Sequence, residues 1–341
     1  MTLPLALTMG EPAGIGGEIA LQAWLRRVEG DGVPPFLMID DPARLEALAR
    51  DLALPVPVRP IDRADEAAGV FGRALPVLPE PLPRPVAPGR PDPANAPAVV
   101  RAIERAVRLV QAGEAAAVVT NPIHKRVLGE GGFAHPGHTE FLADLAGADL
   151  AGNGVRPVMM LACPGLRVVP VTIHQALRRA IDGLTPEMIA DTGRITARAL
   201  RDDFGIHRPR LAVAGLNPHA GEDGTMGEEE ITVIAPALET LRMEGVDVRG
   251  PLPADGMFHD GARAGFDAAL CMYHDQALIP LKTLDFARGV NVTLGLPFVR
   301  TSPDHGTAFS LAGSGEADPR SLIAALSLAA EMAAVRGERP S

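Results

Sequence analysis

The sequence predicts an α/β protein built on a largely parallel sheet, and three observations carry that expectation. Short apolar runs alternate with amphipathic stretches of helical length, the order expected of βαβ units. Polar residues recur directly after the apolar runs, where the carboxyl ends of parallel strands place a ligand site. The chain has 341 residues, enough for two domains or one large one, and for a core that needs no disulfide.

In chain order, strands are expected at Leu3–Met9, Phe36–Ile39, Ala115–Val119, Arg167–Ile173, Leu211–Leu216, Ala268–Tyr273 and Val290–Leu296, each a mostly apolar run of strand length. Met9-Gly10-Glu11-Pro12-Ala13-Gly14-Ile15-Gly16-Gly17-Glu18 follows the first strand and precedes a helix, the position of a dinucleotide fingerprint. The G-x-G-x-x-G spacing fails there, because Ile19 stands three residues after Gly16. A tight turn that lets a ligand or backbone approach closely remains. Ala98–Ala112 sets Val99, Ile103, Ala106, Val107 and Val110 on one face and stops at Gly113, as a helix does. Thr185–Phe204 opens with a Thr cap and a first-position Pro186 and ends at Gly205. Gly227–Met243 opens with Glu228-Glu229-Glu230, which suits the positive end of a helix dipole, and Pro236 predicts a kink or a shorter helix. Ser321–Val335 is an Ala-rich closing helix. Ala74–Ala98 holds nine prolines in 25 residues, which argues against a regular helix or central strand and for an extended surface crossing.

Charge and composition narrow the partners. With 42 Asp+Glu against 32 Lys+Arg the formal charge is −10, the opposite of a nucleic-acid or anionic-membrane footprint. Aromatic residues are 4%, with one Trp and one Tyr, so a base-stacking platform is not expected. The start of the chain shows no basic region ahead of an apolar one, and the longest uncharged candidate, Pro157–Ile173, is broken by Arg167 and prolines. A soluble cytosolic protein without a membrane partner is the expectation. Cys163 and Cys271 are the only cysteines; their separation gives no disulfide framework, and both are expected as small core residues.

The chemistry gathers after the strands. Thr120-Asn121-Pro122, His174, Asn217-Pro218-His219 and His274-Asp275 each follow an apolar run. Three imidazoles converging from three strand ends can hold a divalent metal with positions left open for substrate. Their spacing alone does not separate that arrangement from scattered histidines. Pro136-Gly137-His138-Thr139-Glu140 is a donor–acceptor cluster behind a glycine turn. Lys282, Asn291 and Arg300 suit an anionic small molecule, a phosphate or carboxylate, unless they are simply solvated. Ser302–Phe309 reads as a glycine-containing turn leading into an apolar helix, able to receive a nucleotide on its backbone donors.

Together these segments resemble the 4-hydroxythreonine-4-phosphate dehydrogenases, oxidative enzymes of pyridoxal 5′-phosphate synthesis. The resemblance rests on MGEPAGIGGEIA (9–20), TNPIHK (120–125), PGHTEFLA (136–143), VTIH (171–174), GLNPHAGEDGTMGEEE (215–230), GPLPADGMF (250–258), YHDQALIPLKTL (273–284) and GVNVTLGLPFVRTSPDHGTAF (289–309), spread in family order over nearly the whole chain. It implies a two-domain fold like that of the isocitrate and isopropylmalate dehydrogenases, with largely parallel sheets and the active site in the interdomain cleft. Residues 1–125 with about 303–341 would form the first domain, and about 126–302 the second, carrying metal ligands and dimer interface.

The resemblance further implies an obligate homodimer with shared active sites, whose divalent metal (Zn, Mg or Co) takes histidines from both subunits. By motif position the ligands would be His174, His219 and His274. His138, Thr139, Lys282, Asn291 and Arg300 would bind the substrate, a small phosphorylated amino acid. Asp304, His305, Gly306 and Thr307, in the segment ending at Phe309, would help hold NAD or NADP. Lys282 or Asp255 would assist proton transfer. The implied reaction oxidises 4-phosphohydroxy-L-threonine to 2-amino-3-oxo-4-phosphohydroxybutanoate, which decarboxylates to 3-amino-2-oxopropyl phosphate. A related dehydrogenase acting on a four-carbon phosphosugar acid or a dihydrodiol carboxylate is the alternative; a silent binding protein or a phosphate acyltransferase on a related fold are more distant ones. The chain departs from the family pattern at Glu11, Gly17, Gln175-Ala176 and Ser310. The last replaces an acid near the nucleotide turn and leaves NAD and NADP both open.

Overall fold

The structure is a computed structural model describing residues 3–28, 32–135, 137–147 and 156–338. Met1, Thr2 and Pro136 of the segments above lie outside the described residues. The strands are β1 (Leu5–Thr8), β2 (Phe36–Asp40), β3 (Val58–Pro60), β4 (Leu75–Pro79), β5 (Val118–Thr120), β6 (Val158–Cys163), β7 (Leu166–Pro170), β8 (Arg210–Ala214), β9 (Asp247–Leu252), β10 (Ala268–Cys271), β11 (Val290–Leu294) and β12 (Arg300–Pro303). The helices are α1 (Gly16–Leu25), α2 (Pro42–Asp51), α3 (Ala67–Phe71), α4 (Ala96–Gln111), α5 (Lys125–Glu130), α6 (His138–Leu145), α7 (Leu177–Asp182), α8 (Pro186–Asp202), α9 (Ala235–Met243), α10 (Asp260–Arg263), α11 (His274–Leu284) and α12 (Arg320–Gly337).

The chain divides into two compact units, residues 1–157 with 296–334, and residues 158–295 with 335–341. In the first, the strands run β3-β4-β2-β1-β5-β12, all parallel. In the second they run β11-β6-β7-β10-β8-β9, parallel from β7 to β9 and antiparallel at β11–β6 and β6–β7. Parallel strands covered on both faces need continuous apolar runs rather than alternation. β1, β2, β5 and β10 are buried along their whole length, which is why they stood out in the sequence. The apolar face of α4, with Val99, Ile103, Ala106 and Val107, packs in one core cluster with Ala6, Leu37, Ile39 and Val118.

One segment differs from expectation, and two others take a more detailed form than expected. Ala74–Ala98 is not wholly a crossing: Leu75–Pro79 is a buried strand between β3 and β2. Its prolines fall where no ladder donor is needed. Leu75 N donates toward the β3 side, to Pro57 O, and Glu80 N toward β2, to Asp40 O. Alternation therefore aims position 76 at β2, where pairing starts only at Val77, and position 79 at β3, where pairing has ended at Val77. Gly227–Met243 is not one α-helix. Glu230–Ile234 forms a π-helical turn ahead of α9, with Pro236 in α9's first turn, where its missing N–H costs nothing. Pro157–Ile173 folds as the β6–β7 hairpin closed by Pro164-Gly165, with Gly165 at φ 83°. Cys271 is buried in β10, as expected; Cys163 ends β6 at that turn and is only half-buried. Among the described residues no helix is long and apolar enough to cross a membrane.

The cap of α8 is as expected: Thr185 Oγ1 accepts from Met188 N at 3.3 Å. Thr185→Ala is expected to lower stability by about 1 kcal/mol, read as a lower denaturation midpoint at unchanged denaturant dependence.

Candidate active site

In the second unit, the loops leaving β7 and β10 are fastened together. Val171 N donates to Cys271 O at 2.8 Å and Thr172 Oγ1 to Met272 O at 2.7 Å. This brings the His174 and His274 rings to 5.8 Å between centroids. They line a pocket of about 460 Å³ with Thr172, Gln175, Tyr273 and Asp275. His274 opens α11, and its Nδ1 lies 2.7 Å from Asp275 Oδ1. A carboxylate on one ring nitrogen fixes the imidazole and turns the other toward a cation or substrate oxygen. His174 sits at φ 31°, in the left-handed region that L residues seldom occupy.

His219 lies after β8 in an unusual turn. His219, Ala220, Gly221, Glu222 and Asp223 all have positive φ, between 41° and 78°. Each non-glycine residue there costs roughly 1–2 kcal/mol, so the turn needs an external hold, and Glu230 supplies it. Its Oε1 accepts from Leu216 N and Asn217 N, both at 2.7 Å, and its Oε2 from Asn217 Nδ2 at 2.9 Å. Gly221 lies so close that a methyl group on it would meet Oε2 at 2.7 Å. Burial opposes the Glu230 charge, but the Asn217 and Leu216 donors outweigh it and hold the carboxyl below its ordinary range. Gln276 on α11 bridges further. It donates from Nε2 to Gly215 O at 2.7 Å and accepts from Met272 N at 2.6 Å.

The sequence pointed to neither Glu230 nor Gln276. In the sequence Glu230 is one of three consecutive acids that suit a helix dipole, whereas burial singles it out. The signal was a third consecutive acid at the start of an otherwise apolar run.

The remaining residues of this unit lie on separate elements. Lys282 is half-buried on α11, its ammonium 5.4 Å from the Phe286 ring centroid. Asn291 lies on β11 opposite Leu161. Asp255 is exposed in a 3₁₀ turn packed beside the His219 turn. The structure thus brings His174 and His274 together. Among the described residues, no three His, Cys, Asp or Glu side chains of one chain converge on a metal position.

In the first unit, Arg300 opens β12 beside β5 and donates from Nη2 to Thr120 Oγ1 at 2.6 Å. It is 4% exposed, and burial lowers its pKa to about 10, which leaves it charged at neutral pH. His138 opens α6, followed by half-buried Thr139. Burial first, then the Arg300 and Lys125 charges, keep His138 neutral well below its ordinary pKa. Its Nε2 is buried without a partner among the described residues.

Asp304, His305, Gly306 and Thr307 form a turn docked on the 9–16 turn. Ile15 N donates to Thr307 O at 3.1 Å, and a methyl group on Gly14 would sit 2.9 Å from that oxygen. Asp304 N donates to Ser321 Oγ at 3.0 Å. His305 Nδ1 approaches Gly306 O at 3.1 Å, and Gly306 is exposed. This turn does not run into a helix, contrary to expectation. Gly313 and Gly315, both at positive φ, turn the chain again, and α12 starts only at Arg320. Glu18, buried on α1, holds that stretch by accepting from Gly313 N and Ala317 N, both at 3.0 Å.

A mostly parallel α/β fold with imidazoles after its strands and a buried arginine at the start of β12 suits an enzyme acting on a small anion. The model of the pyridoxal phosphate biosynthetic protein PdxA family matches residues 33–329, and the chain belongs to that family. It is 61% identical over 332 residues to the 4-hydroxythreonine-4-phosphate dehydrogenase of Methylorubrum populi, covering 97% of this chain and 94% of the relative. It is 57% identical over 340 residues to the Bradyrhizobium diazoefficiens protein of the same name, covering 98% of each. A crystal structure of 4-hydroxythreonine-4-phosphate dehydrogenase from Klebsiella pneumoniae superposes with a TM-score of 0.85 at 38% identity, over 97% of this chain and all of that one.

Glu230→Ala strands two part-buried backbone donors and an amide, and is expected to destabilise by about 2 kcal/mol. Because the Glu230 pKa is lowered in the folded chain, its contribution is full above the ordinary carboxylate pKa and is lost as pH falls through the folded value. Denaturation midpoints from pH 7 down to 3 should therefore converge between wild type and Glu230→Gln.

Proposed function

We propose that the chain is a 4-hydroxythreonine-4-phosphate dehydrogenase. It would oxidise 4-phosphohydroxy-L-threonine with NAD or NADP and a divalent cation to 2-amino-3-oxo-4-phosphohydroxybutanoate, which decarboxylates to 3-amino-2-oxopropyl phosphate. Full-length identity of 57–61% to proteins of that name carries the reading; the two-imidazole pocket and the buried Arg300 support it. A bound nicotinamide supplies the hydride acceptor, and a bound cation supplies the electrophile for the substrate hydroxyl.

The chain's own residues supply the rest. His174 and His274 present ring nitrogens to one pocket and would hold the cation together with His219. Since one chain gathers only two of the three, the third would come from a second copy. Leu177, Ile181, Ile231, Ile279, Leu284 and Phe286, large apolar side chains exposed on the second unit, suit a homodimer with shared sites. Arg300 and Lys282 offset the substrate's negative charges, while His138, Thr139 and Asn291 orient its polar groups. Asp304, His305, Gly306 and Thr307 would take the nucleotide against the Gly14–Ile15 backbone. Lys282 and Asp255 are the two acid–base candidates, one of which would assist proton transfer. A cytoplasmic location is part of this reading.

Purified protein given 4-phosphohydroxy-L-threonine, NAD and a divalent cation should produce NADH, and a chelator should abolish it. No turnover with this substrate, but turnover with a phosphosugar acid or a dihydrodiol carboxylate, would contradict the assignment. His274→Ala should lower kcat at least 100-fold with the fold intact; near-normal activity with retained metal would remove His274 from the site.

A further inference from the structure

We propose that Lys125 is a further substrate-binding residue, its ammonium forming with Arg300 and His138 a cationic cluster for the substrate's phosphate. The inference rests on the phosphorylated substrate proposed above. One segment, the continuation of β5, places two of the needed groups: Thr120, whose hydroxyl holds the Arg300 guanidinium, and Lys125, the first residue of α5. The segment is fixed rather than loose. His124 Nδ1 accepts from Val127 N at 3.4 Å, and its ring lies 5.1 Å from that of Phe309.

The Lys125 side chain crosses directly over Gly137. A methyl group at Gly137 would lie 3.2 Å from Lys125 Cε and 3.4 Å from Nζ, so a side chain there would push the ammonium away from the start of α6. The next residue is His138, whose buried Nε2 has no partner among the described residues. The Arg300 and Lys125 charges both reach this imidazole, and a neutral ring offers an uncharged N–H beside the two cations. Such a local excess of positive charge runs against the chain's net −10 and matches a phosphate dianion, which takes several donors at once.

One carboxylate shares the spot: Glu140 Oε2 lies 3.4 Å from the same methyl position. A dianion bound by three groups outcompetes this single nearby carboxylate. Lys125 is exposed, so its replacement leaves the core intact.

The test compares wild type, Lys125→Met, Lys125→Arg and Glu140→Gln in steady-state kinetics, with inorganic phosphate as a separate probe. Lys125→Met should raise KM for the phosphorylated substrate about 10- to 100-fold, with kcat within twofold and KM for NAD unchanged. Lys125→Arg should restore most of the loss, and Glu140→Gln should lower substrate KM. Phosphate should raise the melting temperature of wild type and not of Lys125→Met. A rise in KM for NAD alone would reassign the cluster to the dinucleotide's phosphates. Unchanged KM, or equal phosphate stabilisation of both proteins, would overturn the proposal. Inactive wild type whose phosphate stabilisation still required Lys125 would instead count against the proposed dehydrogenase activity.

Discussion

The Glu230 carboxylate is the fixed point of the second unit's chemistry. Five consecutive left-handed residues after β8 are unfavourable by themselves. Glu230 anchors the entry to this turn by accepting from Leu216 N, Asn217 N and Asn217 Nδ2, and Ala220 N and Met226 N close it on Asn217 O and Gly221 O. The turn presents His219, and Gln276 ties the same loop to the one carrying His274. Local strain concentrated beside functional residues and held by a surrounding network is a recurrent arrangement in active sites. Glu18 acts similarly in the first unit, where its carboxylate gathers the Gly313–Ala317 stretch behind the nucleotide-side turn. Part of the chain's acidity is therefore internal scaffolding rather than surface charge.

The cations show the complementary pattern. Arg300 is buried against Thr120 and stays charged at neutral pH despite the cost of burial. His138, close to it, is kept neutral by that burial and by its charged neighbours. The first unit thus gathers Arg300, Lys125 and a neutral imidazole, suited to an anion. The second gathers His174 and His274, suited to a cation or a substrate oxygen. Those are the two kinds of recognition that oxidation of a phosphorylated hydroxy-amino acid requires.

Much of this was legible in the sequence, for physical reasons. Strands buried along most of their length are short, largely unbroken apolar runs, so β1, β2, β5, β7, β8, β10 and β11 could be located without a structure. What the ladder imposed from outside was not legible. Pro76 and Pro79 argued against a strand until the pairing of β3 and β2 left their missing donors unneeded. Ser302–Phe309 resembled a helix start because its glycine and following apolar residues fit one, yet Gly313 and Gly315 redirect the chain first. In the site, the histidines after strands could be named, but not which would meet. His174 and His274 converge because Thr172 bonds across to Met272, a contact between residues 100 apart in sequence. Glu230 and Lys125 were hidden for the same reason: their roles come from neighbours distant along the chain or across a turn, not from their own spacing.

The proposed reaction couples hydride transfer to loss of CO₂ from one phosphorylated amino acid. The most direct measurement is the stoichiometry of NADH formed, CO₂ released and 4-phosphohydroxy-L-threonine consumed in a single-turnover reaction. Equal amounts of all three, with a phosphorylated amino ketone as the product, are predicted. Nicotinamide reduction without CO₂ release and without that product, or no reduction unless an amino-free substrate is supplied, would contradict it.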